Sequence, residues 1–251
     1  MRPLRSPPLA RCMYCLAAGV PRTEEHLIPR CLGGRLTLRD AVCEPCRRQT
    51  GRLEQLTLDR DFAVPKTLLA LKRRRARGKG PGRFPAVAIE GVEGDVSATS
   101  AATFPRAFSL PAFESAGLLA GVDRAAAPPR IDPVACRLDL GSPARHVAAA
   151  ATPPRDARAY AWSIAKWAYA LAVAERGLDC CDTQAMRALL RGERDDVFAF
   201  VGTRTPRAPA SRERLHDHSV QHNGPWLTVT LALFASAGMV PYEVVIGRAK
   251  R

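Results

Sequence analysis

Two Cys-x-x-Cys pairs stand near the start of the chain, Cys12 and Cys15 in CMYC and Cys43 and Cys46 in CEPC. Two thiolates at this spacing aim at one tetrahedral ion, and two such pairs complete a closed zinc site. A redox dithiol or stray core thiols are the competing readings. Cys31, Cys136, Cys180 and Cys181 have no partner at ligand spacing and read as small buried hydrophobes. Between the pairs lies EEHLIPRCLGGRLTLRDAVC, in which Glu25 and His26 are adjacent. A carboxylate can hold a divalent ion, and a neutral imidazole can take the proton of a water in line with a phosphate. That is the chemistry of one-metal phosphodiester hydrolysis. A lone histidine is more often a satisfied core residue, but its place between two metal-binding pairs favours the chemical role.

Such a pair of side chains needs a frame. HLIPRCLGGRLTLRDAVC reads as two short strands around a turn at Gly33-Gly34, with Glu25 and His26 ending the first strand. From Glu44 to Leu58 the apolar spacing turns helical, and Pro45 suits the first turn, where its missing N–H is not needed. Four thiolates on one ion would pin the start of the hairpin to the start of this helix. The expected fold is α+β: an N-terminal zinc-stabilised treble-clef ββα unit, then a C-terminal α+β domain with one long helix and a terminal strand pair.

The boundaries follow from composition. Residues 1–10, rich in Pro and Arg, read as a disordered tail, 11–71 as the zinc-binding unit, 72–83 (KRRRARGKGPGR) as a basic linker, and 84–251 as the C-terminal domain. A further helix is expected from residue 64 or 65 to 75, and AVAIEGVEGDVSAT and ACRLDLG read as strands. The long helix lies within RDARAYAWSIAKWAYALAVAERG, residues 155–177, with Tyr160, Ile164, Trp167 and Leu171 at helical spacing and Gly177 as its cap. MRALLRGE is a short helix, and WLTVTLALFA and YEVVIGR pair as strands.

The net charge is +14, and residues 1–83 hold 19 Lys/Arg against 7 Asp/Glu, whereas the remainder holds 19 against 17. The excess positive charge therefore accompanies the cysteine-rich segment, which favours a polyanionic partner. No apolar run approaches the roughly 20 residues of a membrane helix, and the N-terminus lacks the apolar core of a secretory signal. No membrane association and a cytoplasmic location are expected.

Taken together, CxxC, EHLIP, LGG and a CxxC that opens a helix containing Gly51 resemble the HNH endonucleases, in their four-cysteine branch with Glu-His in place of Asp-His. The resemblance covers residues 12–51 and extends to helix 158–178 and the ending YEVVIGR, which are similar to the companion region of that branch. It implies a ββα-metal fold, hydrolysis of DNA phosphodiesters (RNA being the alternative), a structural zinc on Cys12, Cys15, Cys43 and Cys46, and a catalytic Mg²⁺ or another divalent cation. His26 would be the general base, Glu25 a ligand of the catalytic ion, and Asp40 would stand near the family's middle asparagine, which orients the histidine. The sequence departs from the pattern at Arg47. The family usually has a metal-binding His or Asn there, and a guanidinium has no lone pair to donate. Either the ion is held by fewer protein ligands, or Asp40 or Glu44 is recruited, or the chain is a catalytically degenerate nucleic-acid binder in which Arg47 holds a phosphate. Arg47 and Arg48, with Arg73, Arg74, Arg75, Arg77 and Lys79 of the basic run, are the expected backbone contacts. A homodimer or a protein partner would use the C-terminal domain.

Three further features read as structural. His216, His218 and His222 in LHDHSVQH form a polar loop rather than a metal site, and Trp162 and Trp167 are core anchors of the long helix. Lys166 and Arg158 on the same helix are expected to be exposed.

Overall fold

The computed structural model describes residues 5–68, 71, 107–125, 128–137, 156–204 and 214–250. The basic residues Arg73, Arg74, Arg75, Arg77 and Lys79 and the segment AVAIEGVEGDVSAT lie outside these.

The N-terminal segment forms β1 (Arg5–Pro8), β2 (Arg22–His26), β3 (Thr37–Cys43), α1 (Glu44–Arg60) and α2 (Ala63–Leu68). The three strands make one sheet in the order β1-β3-β2. The expectation of a disordered tail over residues 1–10 is corrected at β1, which runs parallel to β3. The Leu9 N–H continues that pairing by donating to Arg39 O at 3.0 Å. β2 is antiparallel to β3, with Arg22 opposite Cys43 and His26 opposite Thr37. The register shifts between Thr23 and Glu25, and on β3 this irregularity is taken up around Asp40, which has φ 47°.

β2 ends at His26, and the stretch to Thr37 is a structured turn. Residues Arg30–Leu32 make one 3₁₀ turn closed by Gly33 at φ 94°. A Cβ on Gly34 would stand 1.9 Å from Ile28 O. The LGG triplet is therefore the backbone requirement of this turn: one glycine for the left-handed conformation, one for the close approach. α1 starts where expected, with Pro45 in its first turn and Cys43 as N-cap.

The second half contributes β4 (Ala107–Phe113), α3 (Gly117–Ala120), β5 (Ile131–Arg137), α4 (Ala157–Arg176), β6 (Cys181–Asp182), α5 (Gln184–Leu190), α6 (Val197–Phe200), β7 (Val201–Thr203), β8 (His216–Asn223), β9 (Trp226–Leu233) and β10 (Tyr242–Ala249). β4 and β5 pair antiparallel over their full lengths. The larger sheet has the order β6-β10-β9-β8, and β7 pairs the other end of the β10 edge that β6 occupies. The expected C-terminal strand pair is β9 and β10. LHDHSVQH is not a loop: it supplies β8, the outer strand paired with β9 from His216 to Asn223.

α4 is the axis of the molecule. Asp156 caps it by accepting from the N–H groups of Arg158 and Ala159, and the Gly177 N–H closes its end on Val173 O. Every residue from Tyr160 to Val173 is buried. A helix enclosed on all sides needs an apolar circumference, and its many alanines let neighbouring elements approach closely. Phe62 stacks on Tyr160, with centroids 5.4 Å apart, and also meets Trp167 and Phe234. One core thus runs from Met13 and Tyr14 through α4 to the β8–β10 sheet. The N-terminal and C-terminal segments share that core across the linker boundary drawn from composition. Among the described residues, no helix is long and apolar enough to cross a membrane.

Candidate metal centre and the buried ion cluster beside it

The four paired cysteines converge. The sulfur atoms of Cys12, Cys15, Cys43 and Cys46 all lie within 4.8 Å of one another, and Cys15 Sγ is 3.6 Å from Cys43 Sγ. A tetrahedron with metal–sulfur bonds of about 2.3 Å has edges of about 3.8 Å. A disulfide would bring two sulfurs to about 2.0 Å, and all four thiols are free. The residues are arranged to bind a metal ion, and the all-thiolate set suits structural zinc.

Local structure explains the convergence. After the first pair the chain turns back sharply: the Leu16 N–H donates to Cys12 O at 2.8 Å, and Leu16 takes φ 61°. The second pair spans the N-cap and first turn of α1, where the helix dipole favours thiolate. The Cys43 N–H points at Cys12 Sγ, 3.5 Å away. Burial raises the Cys12 pKa, but backbone N–H groups of Cys43, Cys15 and Tyr14 outweigh it and hold the thiol at about 7. The surroundings come from the C-terminal half. Tyr169 donates to Met13 O at 2.8 Å, and Arg191 Nη1 donates to Tyr14 O at 2.6 Å. Arg191 is paired first with Glu193, at 2.6 Å, and to a lesser degree it senses the sulfurs of Cys46 and Cys15, in a cluster that four thiolates and one dication would leave at net −2. Cys31 and Cys180 are partly buried against the core, and Cys181 is buried within it. The side chain of Cys136 lies outside the described residues.

Glu25 and His26 do not share one opening. Successive residues of a strand point to opposite faces, and on β2 the face given to Glu25 is the inner one. Its side chain is 8% exposed, and Glu25 Oε1 lies 2.7 Å from Lys166 Nζ and accepts from the Tyr14 hydroxyl at 3.2 Å. Lys166 also reaches Glu54 Oε1 at 2.8 Å, and Trp167 Nε1 donates to the same oxygen at 2.6 Å. The expectation that Lys166 is exposed is corrected: its side chain is 4% exposed. Burial works against the Lys166 charge, but the two carboxylates outweigh it and raise its pKa. Lys166 is thus a cation throughout the physiological range. Burial pushes the Glu25 carboxyl above its ordinary range, and the Lys166 ammonium is the largest influence opposing that.

His26 is half-buried at the end of β2. Its Nδ1 is buried with no hydrogen-bond partner among the described residues. Burial first, and the charge of Arg30 second, hold the ring below its ordinary pKa, so the imidazole is neutral at pH 7. Arg30 is exposed. Asp40 lies on the outer face of the β3 irregularity, where its carbonyl accepts from Arg22 Nε at 2.8 Å. Arg47 and Arg48 both bind Glu44, with Arg47 Nε at 2.7 Å and Arg48 Nε at 2.8 Å, on the exposed first turn of α1. Their guanidinium groups hold the Glu44 carboxyl well below the usual range. Glu25, Glu44 and residue 47 therefore do not fit a second cation: two carboxylates are already matched by cationic side chains, and the third position is itself a cation. Among the described residues, the four cysteines are the one group of three or more His, Cys, Asp and Glu side chains placed to hold a metal ion.

Sequence reasoning missed the role of Lys166, Glu54 and Tyr14. A signal was present: Lys166 is the one charged residue between Arg158 and Glu175. A lone ammonium on so apolar a helix has to meet a counter-charge.

The histidines of β8 serve separate contacts. His218 Nε2 lies 2.7 Å from Glu175 Oε1. His216 bridges the two halves of the chain: its Nδ1 accepts from the Phe234 N–H at 3.2 Å, so Nε2 donates to Leu32 O at 2.7 Å. Protonation of Nδ1 would break the first bond. Burial lowers the His216 pKa, with the Leu32 carbonyl opposing. A histidine whose folded pKa lies below its unfolded value of about 6.5 contributes stability that is complete above that pH and is lost as pH falls through it toward the folded value. Thermal stability is accordingly expected to fall as pH drops below about 6.5. The slope should be shallower in His216→Gln, and an unchanged slope in that variant would remove His216 from the account.

Compared with family models, curated proteins and solved structures, the chain matches none of them.

Proposed function

We propose that the N-terminal segment is an HNH-type ββα unit that hydrolyses nucleic-acid phosphodiesters, DNA in the first instance, with His26 as general base and a structural zinc on the four cysteines. The observation that carries this reading is His26 itself. A neutral, half-buried imidazole ends the strand that the cysteine cluster ties to α1, and an exposed guanidinium, Arg30, stands near enough to depress its pKa. His26 would take a proton from water, whose oxygen forms the new bond to phosphorus as the bridging P–O bond breaks; the departing oxygen leaves with that electron pair and takes a proton from solvent. Arg30 would offset charge on the phosphoryl oxygens. Concentration of the positive charge in residues 1–83 supports a nucleic-acid partner.

A second reading has its own observation. With Glu25 matched by Lys166 and residue 47 an arginine, the unit could bind nucleic acid without cutting it. One experiment separates the two. Zinc-loaded protein is incubated with supercoiled plasmid, with and without Mg²⁺ or Mn²⁺, beside His26→Ala. Nicking that falls at least 100-fold in the variant is expected, as general-base catalysis contributes about 10²–10⁴-fold. Equal nicking by both proteins, or none under any condition, sinks the nuclease reading. Retention of DNA that weakens steeply with salt, without cleavage, would then establish the binding role.

A further inference from the structure

The two ring nitrogens of His26 are not equivalent. Nδ1 is enclosed and without a hydrogen-bond partner among the described residues, whereas Nε2 of the half-buried ring is not enclosed in this way. A water approaching His26 therefore meets Nε2. A neutral imidazole is basic only at the nitrogen that lacks the proton. For Nε2 to act, the proton has to stay on Nδ1, and the hydrogen bond made there decides whether it does. Asp40, the residue expected to orient His26, stands further along β3 with its carbonyl engaged by Arg22 Nε. The strand register offers another partner. His26 lies opposite Thr37, and the neighbouring pair is hydrogen-bonded, Leu27 N–H donating to Leu36 O at 3.2 Å. His26 and Thr37 are thus a non-hydrogen-bonded pair, whose Cα atoms approach to about 4.5 Å and whose side chains stand side by side on one face. Thr37 is 3% exposed, and its Oγ1 is likewise enclosed without a partner. Arg39, two residues along β3 on the same face, is exposed, so the enclosure belongs to the 26/37 pair. Enclosed polar groups are nearly always hydrogen-bonded. Here two of them are neighbours and complementary, since a hydroxyl oxygen accepts what an imidazole N–H donates.

We propose that Thr37 is a positioning residue for His26: its hydroxyl accepts the Nδ1 proton, directly or through one ordered water, and so keeps Nε2 as the basic nitrogen. Thr37 touches no substrate and acts only through the ring. Its part in cleavage rests on the nuclease reading, but the hydrogen bond does not, and the experiment reads the two separately.

Zinc-loaded, ¹⁵N-labelled full-length protein is observed at neutral pH by long-range ¹H–¹⁵N correlation, which shows which ring nitrogen carries the proton. The chain has five histidines, and His26→Ala identifies the His26 signals by their loss. Wild type is expected to hold the His26 proton on Nδ1. Thr37→Val, which keeps the shape and removes the hydroxyl, is expected to shift it toward Nε2. Plasmid nicking should fall with it by about 10–100-fold, the range for groups that fix the tautomer of a metal-bound histidine. Thr37→Ser, which restores the hydroxyl, should recover both. Three results overturn the proposal: a wild-type proton on Nε2, a Thr37→Val ring that keeps its proton on Nδ1, or a shifted proton with undiminished nicking. If Thr37→Val does not fold, Thr37→Ala makes the same comparison, and the wild-type spectrum decides by itself whether the proton sits on Nδ1. An Nδ1 proton that Thr37→Val displaces, in a wild type that nicks no plasmid, supports the hydrogen bond and sinks the nuclease reading alone.

Discussion

Stripping the metal from the four-cysteine cluster is expected to unfold the hairpin and α1 and to lower the melting temperature of the whole chain. Structural zinc contributes about 10–16 kcal/mol of apparent binding free energy at pH 7, whereas a domain's net stability is about 5–15 kcal/mol. The first term is as large as the second, so the loss cannot be absorbed. It will not stay local either. Met13 and Tyr14, which lie between the first two cysteines, are fully buried and belong to the core shared with α4. The carbonyls of these two residues accept from Tyr169 and Arg191 of the second half. When the cysteine turn opens, those contacts open with it. The expected findings are one zinc per chain by elemental analysis, release of that zinc by a strong chelator with loss of helical circular dichroism, and the same loss in Cys12→Ser. Protein that is zinc-free as isolated and melts at an unchanged temperature after chelation would contradict the assignment of these residues.

Removing the Glu25 carboxylate is the second large effect. Glu25→Ala is expected to destabilise the protein by about 3–5 kcal/mol, the usual consequence of leaving one partner of a buried ion pair uncompensated. Lys166 would then rely on Glu54 alone, at a position 4% exposed where water cannot take over. The Tyr14 hydroxyl, on a residue that is fully buried, would lose its acceptor as well. Glu25→Gln preserves volume and an acceptor, so it should fall between wild type and Glu25→Ala. The double change Glu25→Ala with Lys166→Met should be less destabilised than Glu25→Ala alone, because replacing both members of a buried pair by apolar groups is often close to neutral. Urea unfolding monitored by tryptophan fluorescence measures all of these. A single-variant effect under about 1 kcal/mol, the range of a surface pair, would show that the cluster is wetter and weaker than its geometry indicates.

Much of this molecule was legible from the sequence, and the reason is local chemistry. Two Cys-x-x-Cys pairs have few ways to be satisfied, and Pro45, LGG and Gly177 announced the α1 start, the turn and the α4 end through backbone preferences acting within a few residues. The apolar spacing of α4 and the alternation in β9 and β10 were equally local signals. What the sequence could not decide was which face met which. Glu25 and His26 are neighbours in the chain, yet strand geometry turns Glu25 toward Lys166, distant in sequence, and leaves His26 at the edge. Lys166 looked like a solvated side chain until α1 and β2 were packed against it. β8 looked like a polar loop because its histidines are polar, and only pairing with β9, Glu175 and Leu32 makes it a strand. Residue types fix which groups can bind a metal or move a proton, but the counter-charge each group meets depends on long-range packing.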